Sequence, residues 1–287
     1  MYRETTPKER EVEFQSYDGV QLQGTYTSNQ NDECGRIVLL LHGIGGDRNE
    51  HGLFQRISFA LANNGRSSFR FDWRCHGCDS HRSVAELTLS GVYNDIESAA
   101  NTIIDSRTSS KRERKIDLIA FSFTGALALH WAFRNSQIVN RVVLLSPVLD
   151  YVDEYLSGEQ YVNQGILSND ASGQLQRHGI LKSQSRLLSR QMCNEMRAFP
   201  PADLVDSIDY WIIHGDQDQS VSLSTSVRFF KLMKSTKLLV IPGANHSFTE
   251  YERAESDGID FQSNVATEIS DIIIEGRDTS TYPKYDR

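Results

Sequence analysis

The chain has 287 residues, 39% hydrophobic and 24% charged, the composition of a folded globular domain. Its 38 acidic and 30 basic residues give a formal net charge of −8, which argues against broad binding to nucleic acid or an anionic membrane. No run of about 18 apolar residues is present to span a membrane, the start MYRETTPKER lacks an apolar signal core, and four cysteines make no disulfide framework; a cytoplasmic, reducing setting is expected.

Glu11 to Phe14 and Leu22 to Thr27 alternate apolar and polar residues around Asp18-Gly19, the pattern of an edge hairpin. Ile37 to Leu41 (IVLLL) is continuously apolar, as a strand buried on both faces requires. Similar runs follow at Ser68 to Trp73, Ile116 to Phe121, Val142 to Leu145, Tyr210 to Ile213 and Leu238 to Ile241. Helical spacing separates most of them: Leu53, Ile57, Ala60 and Leu61; then Val92, Ile96, Ala99 and Ile103; then Ala126, Leu129, His130 and Phe133; then Val227, Phe230 and Met233. Alternating strands and helices predict an α/β fold, a mostly parallel central sheet with helices on both faces. The basic run Lys111 to Lys115 (KRERK) contains Glu113 and reads as a solvated loop. Residues 148–205 break the rhythm and read as a small cap inserted over the C-terminal edge of the sheet, where open α/β sheets bind ligands. The polar tail 276–287 is expected to be flexible, and the whole chain to form one domain.

Three chemistry-bearing residues each follow a buried run. Ser122 ends IAFS, Asp218 lies in IIHGDQDQSV, and His246 lies in IPGANHSF. A serine hydroxyl is a weak nucleophile until an imidazole takes its proton, and the imidazole needs a carboxylate to fix its tautomer. Asp216 is a second acid in the same loop. Each match has a duller reading taken alone: a helix-start serine, a turn carboxylate, a surface histidine.

Taken together, the stretches LLLHGIGG, RFDWRCHGCDS, IAFSFTGA, VVLLSP, IIHGDQDQSV and IPGANHSF resemble the α/β-hydrolase superfamily over roughly residues 10–275. The similarity is greatest to the serine esterase branch with cinnamoyl and feruloyl esterases, monoacylglycerol lipases and acyl thioesterases. That resemblance implies Ser122 as nucleophile, Asp218 as acid and His246 as base. It also implies an oxyanion hole from the backbone N–H groups of Ile44 and Phe123. Asp216 falls on a variable position of that pattern. No metal or organic cofactor is implied. The expected partner is a small acyl ester or thioester, with an acyl carrier protein as a further candidate. Ester hydrolysis is the first expectation. Thioesterase or acyltransferase chemistry is the second, and a decayed fold kept for binding is the third.

The sequence departs from the family's G-x-S-x-G at Ala120 and Thr124. Glycine relieves crowding at such an elbow, so the expectation is that Thr124 turns away from Ala120 and that Gly125 still permits close contact. The loop CHGCDSH (residues 75–81) has a C-x-x-C spacing that suits zinc or redox chemistry, but no second ligand pair is evident. HGIGG lacks the lysine of a phosphate-binding loop and suits an oxyanion loop better. In the insertion, Tyr151, Tyr155, Tyr161, Leu167, Leu187, Leu188 and Met192 could line a pocket or simply pack onto the body. Arg186, Arg190 and Arg197 could meet an acidic substrate or carrier, or be surface cations.

Overall fold

The computed structural model describes residues 6–29, 36–105, 115–183, 186–200, 203–249 and 261–276. Most of the basic run at 111–115, and all but the first residue of the tail at 276–287, lie outside these residues. In chain order the body begins with β1 (Lys8–Gln15), β2 (Gln21–Ser28), β3 (Ile37–Leu41), α1 (Leu53–Asn63), β4 (Ser67–Asp72) and α2 (Leu89–Asp105). It continues with β5 (Ile116–Phe121), α3 (Thr124–Arg134) and β6 (Val139–Leu145). The segment that follows holds α4 (Tyr151–Tyr155), β7 (Val162–Asn163), β8 (Ile166–Leu167), α5 (Asn169–His178), β9 (Ile180–Ser183), β10 (Arg186–Ser189) and α6 (Arg190–Ala198). The body resumes with β11 (Asp209–Gly215), α7 (Leu223–Leu232), β12 (Thr236–Ile241) and α8 (Phe261–Glu275).

Eight strands form one sheet in the order β1-β2-β4-β3-β5-β6-β11-β12. Only β2 runs against its neighbours β1 and β4; the other pairings are parallel. The apolar runs are continuous because both faces are covered. Val38 and Leu40 of β3 face the cluster with Leu53, Phe54 and Ile57 of α1, whereas Ile37, Leu39 and Leu41 face the cluster with α2 and α3. Each fully buried Leu or Ile there contributes about 1.5–3 kcal/mol relative to exposure.

The register aligns the strand ends. Leu41 is level with Ala120, Phe121 with Leu145, Leu145 with Ile213, and Gly215 with Ile241. The residues that follow these ends therefore emerge along one edge, although they are far apart in sequence.

Two features have no counterpart among the predicted elements. Helix α8 buries Val265, Ala266, Ile269, Ile272 and Ile273 in the cluster that α1 also supplies. Three consecutive isoleucines, 272–274, disguise its helical spacing. The helices of the polar segment after β6 start at side-chain caps: Asp150 accepts from the Val152 and Asp153 N–H groups at 2.9 and 3.0 Å, Ser168 from the Ala171 N–H at 3.1 Å and Ser189 from the Met192 N–H at 3.0 Å. Their few apolar residues, Leu175, Met192 and Met196 among them, are nevertheless buried.

Candidate active site

Ser122 occupies the turn between β5 and α3 with φ +52°, a left-handed conformation uncommon for a side-chain-bearing residue. Its N–H donates to the Leu145 carbonyl at 2.9 Å, and its own carbonyl accepts from Gly125 N–H at 3.0 Å and Val148 N–H at 2.9 Å. Thr124, where the resembled family has glycine, is fully buried. Its hydroxyl lies 2.8 Å from the Leu41 carbonyl and 3.0 Å from the Phe121 carbonyl, so it ties the ends of β3 and β5 together. The position that needs a small residue is Gly125: a Cβ there would lie 2.7 Å from Pro147 Cβ and 3.0 Å from the Val148 carbonyl oxygen.

His246, in the loop after β12, meets both other residues. Its Nε2 is 3.0 Å from Ser122 Oγ and its Nδ1 is 2.7 Å from Asp218 Oδ2. A neutral ring protonated at Nδ1 fits both contacts, donating to the carboxylate and accepting from the hydroxyl. Asp218 Oδ1 accepts from the Ser220 and Val221 N–H groups at 2.8 and 2.9 Å. Buried His214 approaches Asp218 Oδ2 to 3.1 Å through Nε2, which also lies 3.0 Å from the Val221 carbonyl. Burial alone would raise the Asp218 carboxyl, but hydrogen bonds from His214 and His246 outweigh it and hold the group well below the usual carboxylate range. Asp216 points elsewhere and accepts from the Gly243 N–H at 2.7 Å, bracing the loop that leads to His246.

The acid and base loops also touch directly. A Cβ at Gly215 would lie 2.2 Å from the Ala244 carbonyl oxygen. Overpacking of this kind costs about 1–3 kcal/mol, and a displacement of the base by about 1 Å costs on the order of 100-fold in rate. Gly215→Ala is therefore expected to lower both the urea midpoint and the turnover of any reaction run by this site. A variant with wild-type values of both would show that the contact is not needed.

The loop after β3, which carries Ile44, approaches this cluster: a Cβ on Gly43 would lie 3.3 Å from Ser122 Cβ. The Gly43–Ile44 peptide is anchored through its carbonyl, which accepts from His42 Nδ1 at 2.8 Å and from Gly46 N–H at 3.2 Å. The flanking N–H groups are claimed by side chains: Gly43 donates to Glu50 Oε2 at 2.7 Å, and Gly45 donates to His76 Nε2 at 2.9 Å. Among the described residues the Ile44 and Phe123 N–H groups have no acceptor. The Ser122–Phe123 peptide is likewise fixed through the Ser122 carbonyl. Two backbone donors are thus held in place without being consumed.

Glu50 has no role in the sequence reading, and His42 and His76 enter it only as members of HGIGG and CHGCDSH. Glu50 is delivered by a turn in which Glu50, His51 and Gly52 have φ of +45°, +53° and +92°. Burial pushes its carboxyl up. Burial also lowers the His42 and His76 imidazoles, which keeps them neutral and able to accept. Glu50→Ala would free the Gly43 N–H and leave a cavity, with an expected fall of about 10–100-fold in kcat/KM. Glu50→Gln keeps an acceptor oxygen and should fall less. Equal rates for Glu50→Ala and wild type would remove Glu50 from the site.

The first half of the CHGCDSH loop is engaged in structure, whereas Cys78, Ser80 and His81 are exposed. Arg74, which opens it, is clamped by Asp95 and Asp18. His76 Nδ1 donates to the Arg74 carbonyl at 3.0 Å. Asp79 accepts from the Cys75 N–H at 3.1 Å, and Cys75 Sγ lies 3.5 Å from the Ser83 carbonyl. Burial and then the acid at Asp79 push the Cys75 thiol up to about 11, and burial raises Cys78. Such thiols are poor nucleophiles. Among the described residues no group of three or more His, Cys, Asp or Glu is placed to hold a metal ion, and no helix is long and apolar enough to cross a membrane.

The family model described as the alpha/beta hydrolase family matches residues 38–256. The chain belongs to that family. This alpha/beta hydrolase has no match by sequence among curated proteins. Among solved structures it is similar to Est1E from Butyrivibrio proteoclasticus, with 20% identity, 92% of this chain and 98% of that chain covered, and a TM-score of 0.67. That protein has also been solved with ferulic acid bound. An esterase domain from a Rhodothermus marinus protein aligns at 16% identity over 92% and 96% of the two chains, TM-score 0.60. The Pyrococcus furiosus esterase Pf2001 aligns at 18% over 93% and 91%, TM-score 0.59. At these identities the structural likenesses establish the shared fold of the alpha/beta hydrolases.

Proposed function

We propose that the protein is a serine hydrolase that cleaves carboxylic esters through an acyl-enzyme on Ser122. The observation that carries this reading is the continuous chain from Ser122 Oγ through His246 to Asp218, at 3.0 and 2.7 Å. His246 takes the hydroxyl proton as Ser122 Oγ attacks the ester carbonyl. The Ile44 and Phe123 N–H groups receive the charge that develops on the carbonyl oxygen. Collapse of the tetrahedral intermediate breaks the bond to the alkoxide, which leaves with the proton from His246. Water then repeats the cycle with the same base and releases the acid.

The His246 side chain is 19% exposed, which favours access of water to the acyl-enzyme and hence hydrolysis. Residues 148–205 act in this reading as a cap over the acyl pocket, within a single domain. Tyr151 and Tyr155 support that assignment: both are buried, and their rings lie 5.2 and 6.1 Å from that of Phe123. Leu187, by contrast, is 48% exposed. Hydroxycinnamoyl esters belong in a first substrate panel because Est1E is solved with ferulic acid. Labelling with a fluorophosphonate, followed by peptide mass spectrometry, tests the reading. An adduct on Ser122 together with ester turnover supports it; an intact Ser122 at saturating probe overturns it.

A further inference from the structure

Arg186 opens β10, which pairs with β9 in a hairpin. The hairpin is fastened to the end of α4 by the Ser183 hydroxyl, which donates to the Tyr155 carbonyl. From there the Arg186 guanidinium lies over the loop after β3. A Cβ on Gly45 would be 2.2 Å from Arg186 Nη1, so only a glycine permits this approach, and Gly45 has φ +83°. Gly45 directly follows Ile44, and a Cβ on Gly43, on the other side, would be 3.3 Å from Ser122 Cβ. The guanidinium therefore lies over the same short loop that approaches Ser122.

It sits there half-buried. Among the described residues Arg186 has no hydrogen bond and no ion pair. Arg48, Arg70, Arg74, Arg82, Arg141 and Arg228 all meet acids at 2.7–3.0 Å. The Arg186 charge acts on the His76 imidazole and the Tyr155 hydroxyl, neither of them an acid at neutral pH. His76 has no lone pair to offer, because Nε2 already accepts from Gly45 and Nδ1 donates to Arg74. The Tyr155 hydroxyl also has no partner among the described residues. A guanidinium fork that has lost part of its hydration is matched by a planar or tetrahedral oxyanion, with charge-assisted bonds of about twice ordinary strength. The protein's net charge of −8 supplies no general attraction for anions, so such recognition has to be local.

We propose that Arg186, with the Tyr155 hydroxyl beside it, binds a carboxylate or phosphate carried by the substrate, so that the preferred esters are anionic. This deepens the serine-hydrolase reading and rests on it. The two sources of the anion are separated by two matched pairs. One is the mono-4-nitrophenyl ester of succinate with its far carboxylate free or methylated. The other is the same acyl group on coenzyme A or on N-acetylcysteamine. In wild type, kcat/KM is expected to favour the anionic member of one pair, and that ratio should fall about 10–100-fold in Arg186→Gln, with Arg186→Lys in between. A response in the first pair places the anion on the acyl side; in the second, on the leaving side. Succinate or inorganic phosphate should also raise the melting temperature of wild type but not of Arg186→Gln, a readout independent of turnover. Ratios and melting shifts that are equal in wild type and Arg186→Gln would overturn the anion site. Loss of all ester turnover with no label on Ser122, while the melting shift still depends on Arg186, would instead reject the hydrolase reading and keep the anion site.

Discussion

Ser122→Ala is expected to lower ester turnover about a thousandfold or more while leaving the protein folded. The hydroxyl is the only atom removed that could bond to the acyl group, and the members of such a relay act as a unit. Residual rate should come from the two backbone donors and from substrate positioning, which the substitution leaves in place. The fold should tolerate the change because the Ser122 backbone, not its side chain, makes the contacts to Leu145, Gly125 and Val148. The strained φ of +52° is retained by those contacts, at a cost somewhat greater for alanine than for serine. Single-turnover kinetics with a chromogenic ester would measure the loss, and a thermal melt would check the fold. Wild-type turnover in this variant would mean that another residue bears the acyl group.

Asp218→Asn is expected to lower kcat by about 10³–10⁴-fold. An amide in place of the carboxylate no longer demands a proton on His246 Nδ1, so the ring can adopt the tautomer whose Nε2 cannot accept from Ser122. The same substitution has a signature in stability. The folded Asp218 carboxyl titrates below its unfolded value, so it stabilises the fold fully above about pH 4, and that contribution is lost as pH falls through the folded value. At neutral pH the variant should unfold at lower urea than wild type, and the gap should narrow as pH falls below about 4. A gap that stays constant from pH 7 to pH 3 would show that the carboxylate is not held by its charge.

Much of this was legible in the chain because each feature is local. IVLLL and IDLIAF declare strands covered on both faces, and parallel register then brings whatever follows them to one edge. Ser122, His246 and the acid pair Asp216 and Asp218 could be picked out for that reason, and the family resemblance chose Asp218 of the two. Glu50, His42 and His76 could not. Their roles depend on which way the loop after β3 turns, and the turn that delivers Glu50 has left-handed residues at a glutamate and a histidine, where propensity forbids the guess. The role of Thr124 was hidden for a related reason. Its hydroxyl finds an acceptor at the end of a different strand, Leu41, so a change that looks like crowding in the sequence is a crosslink in the fold. In the sequence Arg186 cannot be told from Arg190 and Arg197 as a candidate for an acidic substrate, since the glycine it covers belongs to a distant segment.

The tethering of the loop after β3 also separates two kinds of failure. Its donors are aimed by His42, Glu50 and His76, side chains at one corner of the sheet, and not by the cores that hold the strands together. Local opening of a corner requires less free energy than global unfolding. As the molecule is warmed, catalytic competence should therefore fade while the strands remain paired, and heat inactivation should precede heat denaturation.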